Sequence, residues 1–348
     1  MIKSPYSLME LDAIAQLYYK DITSAFGLKA QLLAAPTNDM KPVMNYIHTH
    51  LREILLGKPD RLEFHASVID PLIDAAKAAY LVNNPVITVK GVQLTPAKMT
   101  TYINNWAKDA IRSIFNYDTD KTTSFTRRNG GALAYRHAKR LAISSCPYCN
   151  ALFTFTIRNK RIKTRPEFDH FLNKGRYPYL ALSFYNLIPS CSLCNSGTLK
   201  GQKKFSITTH LHPFIDHIEG LYEFRTKVDA VDFLVNGDDF TLKLQPCTGV
   251  GKIARARAEK SIGEFAIEDR YSFHKDYAGE ILTKAYVYNN STIEALFTSF
   301  DIGGHNIFSS PAEIKELIMG NVLHPDRFHK RILSKLTKDI AEEFGLTI

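Results

Sequence analysis

Four of the five cysteines fall into two Cys-x-x-Cys pairs, Cys146/Cys149 and Cys191/Cys194. Cysteines two residues apart can turn both sulfurs toward one ion. A second pair completes a tetrahedral four-thiolate shell with no position left for substrate, which is the pattern of a structural zinc (Zn2+) site. Taken alone, Cys146-Pro147-Tyr148-Cys149 also has the form of a redox dithiol, whose first thiol is activated at a helix N-terminus. The context argues against that, because Asn150 to Ile157 reads as a strand and a redox role leaves the second pair unexplained. A nucleobase deaminase needs an upstream His-x-Glu and a proline just before the pair, and neither is present. Cys247 stands alone and reads as a small packed residue.

Between the two pairs lie Asp169-His170, then Asn186, and Asn195 directly after Cys194. Hydrolysis of a phosphodiester needs a cation held against the phosphate and a base to deprotonate water, and an oxygen donor beside an imidazole supplies both. On an extended segment Asp169 and His170 point to opposite faces, one toward a metal and one toward the attacking water. A further ligand and an orienting group must come from the returning chain, where Asn186 and Asn195 stand.

The run Cys146-x-x-Cys149, Phe168-Asp169-His170-Phe171-Leu172, Tyr185-Asn186-Leu187-Ile188-Pro189-Ser190-Cys191-x-x-Cys194-Asn195 resembles the HNH (His-Me finger) endonucleases. It is similar in particular to zinc-braced members of bacterial anti-phage defence, such as nuclease subunits of Septu-type systems. The resemblance covers residues 140 to 213. It implies that His170 is the general base, that Asp169 and Asn195 hold a catalytic Mg2+ or Mn2+, and that Asn186 orients the imidazole. Asn195 stands where many members have histidine, and an Asp/Asn oxygen pair suits a hard ion.

These roles require a two-stranded ribbon followed by a helix. Pro166 to Leu172 is the expected first arm, Asn173 to Pro178 a loop, Ser183 to Ile188 the return, and Cys194 to Lys203 the helix, weakened by Gly197 and Gly201. Such a unit is expected to bury too little surface to stand unaided, so zinc would supply folding free energy.

Charge is concentrated at the same place. From Lys121 to Phe205 there are sixteen Lys/Arg against Glu167 and Asp169 alone, whereas the whole chain carries +9, so the remainder is net acidic. Arg127, Arg128, Arg136, Lys139 and Arg140 precede the motif. Arg158, Lys160, Arg161, Lys163, Arg165, Lys200, Lys203 and Lys204 are the cations expected to contact phosphates without reading sequence. Downstream, His210, His212 and His217 lie close together, and His212 is a candidate neighbour of the site.

The rest of the 348 residues reads as ordinary globular chain, with apolar periodicity of helices over Leu8–Leu33, Met40–Leu56, Leu62–Tyr80 and Pro96–Phe115. Val86 to Gln93 is a short strand or hairpin, and Asp118 to Gly131 a linker or lining loop. After the motif come a hairpin over Val231–Leu244, turned at Asn236-Gly237-Asp238, and helices over Lys252–Ile267, Asp276–Tyr288, Ser291–Phe300, Ala312–Met319 and Asp326–Phe344. The expected class is α+β: a ββα-metal core at 121–213, a helical domain at 1–120, and a mixed, mostly helical region at 214–348. No run of about eighteen apolar residues suggests a membrane span, and unexported zinc-holding thiols point to the cytoplasm. There is no Walker-type phosphate loop, so any ATP-driven step belongs to a partner ATPase or sensor. The expected activity is DNA phosphodiester hydrolysis. The alternatives are a non-catalytic zinc-braced nucleic-acid adaptor and a toxin-like RNase.

Overall fold

The computed structural model describes residues 1–34, 38–228 and 240–346. Helix α1 (Leu8–Phe26) opens on a reciprocal cap, Ser7 accepting the Glu10 N–H and Glu10 accepting the Ser7 N–H. It stops at Gly27, whose left-handed backbone (φ +56°) breaks the expected Leu8–Leu33 helix into α1 and α2 (Leu28–Leu33). The next expected helix is likewise split at His50 into α3 (Lys41–Thr49) and α4 (Leu51–Leu56). Helices α5 (Pro59–Asn83) and α6 (Pro96–Ile114) each begin on proline, which has no N–H to leave unpaired there. Between them β1 (Thr88–Val89) and β2 (Val92–Gln93) form the expected hairpin, turned at Lys90 and Gly91 with positive φ.

Helix α7 (Arg128–Leu141) was not expected. Residues 129–131 have positive φ, so the loop reading holds there, and the regular helix follows with Ala134, His137, Ala138 and Leu141 on its buried face. Strands β3 (Ile157–Arg158) and β4 (Lys163–Thr164) make a short exposed hairpin. Then β5 (Glu167–His170) pairs antiparallel with β6 (Leu187–Ser190), Asp169 opposite Ile188 and His170 opposite Leu187, and the single turn α8 (Ser192–Asn195) follows. Two expectations need correction. Asn150–Ile157 is not a strand: Asn150 turns with φ +51°, and the segment contributes one bridge, Ser145 to Phe153, and the start of β3. The helix expected over Cys194–Lys203 begins earlier and ends at Asn195, before Gly197 and the left-handed Gly201.

Strands β7 (Tyr222–Val228) and β8 (Phe240–Pro246) pair in register from Tyr222 opposite Pro246 to Val228 opposite Phe240. The expected hairpin at Val231–Leu244 has its first arm and its Asn236-Gly237-Asp238 turn outside the described residues, and its second arm is β8. Helices α9 (Lys252–Glu264), α10 (Ile267–Ser272), α11 (Lys275–Val287), α12 (Asn290–Ser299) and α13 (Pro311–Met319) follow, with a small ribbon of β9 (Asp301–Ile302) and β10 (His305–Asn306). The expected Asp326–Phe344 helix is a 3-10 segment, Pro325–Lys330, and then α14 (Ser334–Glu343), separated by left-handed Leu333 (φ +58°). Helices with small two-stranded ribbons make the chain α+β. No helix among the described residues is long and apolar enough to cross a membrane.

One contiguous apolar cluster runs from the N-terminal helices through the β5–β6 ribbon to α14. The loop joining β5 to β6 is buried against the N-terminal helices and bonded to them. Tyr18 donates to the Leu182 carbonyl (3.0 Å), Ser183 to the Ile54 carbonyl (2.5 Å), Tyr179 to Asp70 (2.9 Å) and Tyr185 to Asp12 (2.6 Å). The ribbon does not stand unaided: Phe168, Phe171, Leu172, Leu187 and Ile188 are all buried, because the helices cover what the ribbon alone cannot.

Candidate active site and metal centre

The four paired cysteines converge. Their sulfurs all lie within 4.8 Å of one another, Cys149 to Cys191 being 4.0 Å, and all four side chains are buried. A tetrahedral Zn–S shell needs sulfurs about 3.8 Å apart, so this group is able to hold a metal such as zinc. The thiols are free rather than disulfide-bonded. Backbone N–H groups of Ala151, Cys191 and Cys194 reach sulfurs at 3.4 Å, and the Arg270 guanidinium of α10 donates to Cys194 at 3.2 Å. Those donors would offset the excess negative charge of four thiolates around a bound divalent ion. Tyr271 donates to the Cys149 carbonyl at 2.7 Å, so the C-terminal region closes the knot. Neither Arg270 nor Tyr271 carries a local sequence signal, since they lie more than seventy residues from Cys194.

Asp169 is supported from this knot. Tyr148, the second of the two residues between Cys146 and Cys149, donates its hydroxyl to Asp169 Oδ2 at 2.6 Å, and Lys200 Nζ lies 2.8 Å from Oδ1. Burial, and then the Asp169 charge, raise the Tyr148 phenol well above its ordinary pKa, so it keeps the proton it donates. Lys200 also donates to the His170 carbonyl. Both members of the Asp169–Lys200 pair are buried, and a carboxylate in such a place requires a cation. Lys200, expected among the phosphate-contacting cations, is therefore an internal counter-ion at the floor of the cleft.

His170 is supported from the other side. Its Nε2 lies 3.0 Å from the Ala181 carbonyl, which can only accept, so Nε2 carries the proton and Nδ1 is the bare nitrogen. The Tyr117 ring meets the imidazole edge-on at 4.5 Å between centroids. Burial, and then the Lys174 ammonium, hold the imidazole down to about 3, so it is neutral across the physiological range. Among the described residues Nδ1 has no hydrogen-bond partner, and His170 lines a cleft of about 770 Å³ together with Glu167, Asp169, Asn195 and Lys200, with Arg127, Arg165 and Lys174 around it.

Among the described residues the Asn186 side chain makes no direct hydrogen bond to the imidazole. Its amide accepts from Leu172 N (2.6 Å) and donates to the Leu172 and Leu180 carbonyls (3.0 Å each), closing the loop that carries Ala181. It orients His170 at one remove. Asn195, at the end of α8, donates to Glu167 Oε2 at 2.7 Å. Glu167 was not singled out from the sequence, yet it stands two residues before Asp169 on the same face of β5 and lines the cleft, and that i, i+2 spacing was the available signal. The carboxylates of Glu167 and Asp169 and the amide of Asn195 are oxygen donors of the type that hard divalent ions take, and both Asp169 oxygens are already engaged by Tyr148 and Lys200.

Among the remaining expected residues, Arg158, Lys160, Arg161 and Lys163 are exposed on the β3–β4 hairpin. Arg165 lies over the Tyr135 and Phe168 rings, Lys204 is exposed, and Lys203 pairs with Glu264. Arg136 and Arg140 both pair with Asp21 at 2.6 Å, away from phosphate duty. His212 is not a site residue. Its Nε2 meets the Tyr185 carbonyl at 2.9 Å, Nδ1 accepts from Phe214 N, and the ring packs on Phe171, so it is a satisfied core histidine. His210 stacks on Phe205, and His217 bonds to the Glu219 carbonyl.

Comparison of the chain with protein-family models, with curated proteins and with solved structures found no match.

Proposed function

We propose that the chain is a metal-dependent endonuclease of the HNH kind that hydrolyses phosphodiester bonds of DNA. The observation that carries this reading is His170: a neutral imidazole with Nε2–H committed to a carbonyl, lining a basic cleft beside oxygen donors on the neighbouring face. In this reading His170 Nδ1 takes the proton from the attacking water. Glu167, Asn195 and Asp169 hold a Mg2+ or Mn2+ ion, which when bound supplies charge stabilisation at the phosphate and leaving oxygen. Lys200 pairs with Asp169 and adds positive charge to the floor of the cleft. Asn186 and the Ala181 carbonyl fix the tautomer and rotation of the base.

The four-cysteine group would hold structural zinc, and the resemblance to zinc-braced defence nucleases extends the proposal to antiviral defence in the cytoplasm with a partner ATPase or sensor. The test is incubation with plasmid DNA and a matched RNA in Mg2+ or Mn2+, with chelator and His170→Ala as controls. DNA cleavage lost on both controls supports the reading. Cleavage of RNA alone would replace the substrate, and retention of DNA with no cleavage under any condition would leave a nucleic-acid-binding adaptor.

A further inference from the structure

We infer that the bound polynucleotide continues past the cleft onto a second basic flank, in which Lys108 and Arg112 of helix α6 join Arg176 and Lys204 to hold phosphates opposite the β3–β4 hairpin. The inference rests on the nuclease reading and extends it to the length and course of the substrate.

Three depressions of the surface are continuous. The central cleft holds His170 and shares Thr126, Arg127, Arg165 and Glu167 with a depression that reaches Lys163 and Tyr135 at the β3–β4 hairpin. On the other side it shares Asn173 and Gln202 with a depression lined by Lys108, Arg112, Arg176 and Lys204 and by no carboxylate. The reactive imidazole therefore lies partway along a basic track whose far end comes from the helical N-terminal region, a segment with no charge signal of its own in the sequence.

The second flank is short of anions. Arg112 has the exposed Asp109 at 3.1 Å and Arg176 has Asp70 at 4.0 Å, while Lys108 and Lys204 have no ion-pair partner among the described residues. Burial first, and then the cations Arg112, Lys77 and Arg176 against a smaller opposing pull from Asp70, lower the Lys108 pKa, in keeping with its place beside Arg112 and Arg176 in the depression. Beyond Arg176 and Lys204 the surface turns mixed, with Glu63 and Asp70 entering the lining, and the track ends there. A solvated face needs no such crowding in a concave place, whereas a run of backbone phosphates relieves it and releases counterions in proportion to the contacts made. Phosphates on both sides of His170 mean an internal bond of a polymer, not a terminal nucleotide.

The test is binding of labelled 40-mer duplex DNA and duplex RNA across a salt series, measured on wild type, Lys108→Glu/Arg112→Glu, and a hairpin variant, Lys160→Glu/Arg161→Glu. Each double reversal is expected to weaken binding about tenfold or more and to lower the slope of log K against log salt by roughly 2. The milder Lys108→Gln/Arg112→Gln, with a melting curve, guards against a folding defect and should show a smaller loss of the same sign. The stronger of the DNA and RNA arms names the polymer. Wild-type affinity and slope in both α6 variants, or no polynucleotide binding by wild type, would overturn the inference. Cleavage that depends on His170 but not on α6 charge would sink the track alone. Binding that depends on α6 without any cleavage would sink the nuclease reading alone.

Discussion

Asp169 and His170 are neighbours in the chain, yet different parts of the molecule hold them. Asp169 leans on the cysteine knot, through Tyr148 inside the first Cys-x-x-Cys and through Lys200 beyond the second. His170 leans on the N-terminal helices, through the Ala181 carbonyl in a loop that Tyr18 and Ser183 tie to α1 and α4. A strand makes this division natural, because adjacent side chains face opposite ways and each can be set by its own scaffold. The geometry on the Asp169 side is therefore tied to the knot, and that on the His170 side to ordinary packing.

Stripping the metal from the cysteine group is the largest perturbation on the first side. Structural zinc contributes on the order of 10 kcal/mol or more in small domains, so chelation or Cys194→Ser should abolish the Tyr148–Asp169 support and lower the melting temperature sharply. Hydrogen exchange should then show lost protection around Cys146–Cys149 and Cys191–Cys194, with residues 171–186 still protected. Equal loss in both places would break the division.

Next in size is Lys200→Met, which leaves Asp169 buried without its counter-ion and should cost roughly 3–5 kcal/mol in denaturant unfolding. Adding Asp169→Asn should recover most of that, whereas a second loss of equal size would show that the two side chains are not coupled. Tyr148→Phe should cost less, about 1–3 kcal/mol, because it removes one hydrogen bond from a charged acceptor. It should lower activity while leaving metal content unchanged. Ser183→Ala on the other side should cost about 0.5–1.5 kcal/mol and leave the divalent-ion dependence of activity alone.

Acid should act through buried histidines, His137 and His212 as well as His170. His137 is held down to about 3, by burial and then by Arg140, and His212 to about 4, chiefly by burial. Both folded values lie below the unfolded one of about 6.5, so the unfolded chain binds more protons below that pH. The stability due to the neutral rings is thus present above about pH 6.5 and falls progressively as pH drops toward 4 and 3, by roughly 3–5 kcal/mol for each ring. His137→Phe should flatten that decline in a series of pH-dependent melts, and an unchanged slope would contradict the assignment.

What could be read from the sequence follows the same division. Four sulfurs around one centre constrain spacing so tightly that the pairs are legible without a fold, and the ribbon follows from the residues that must meet across it. Tyr148, Lys200 and Glu167 were legible only as a spacer, a surface cation and a charge in a count, because their roles depend on tertiary contacts. The helical side was least legible. Helix periodicity locates α1 and α4, but nothing local says that Tyr18 reaches Leu182 or Ser183 reaches Ile54, more than a hundred residues away. The helix expected after Cys194 failed for a local reason, two glycines, that had been visible.

If His170 Nδ1 is the base of a phosphodiester hydrolysis, single-turnover kinetics with a parallel affinity measurement will show it. With one plasmid substrate in Mg2+, His170→Ala should lower the cleavage rate by roughly 100-fold or more, the scale of general-base catalysis, while metal content and DNA affinity stay at wild-type values. Cleavage by His170→Ala at the wild-type rate, with the same affinity, would contradict it.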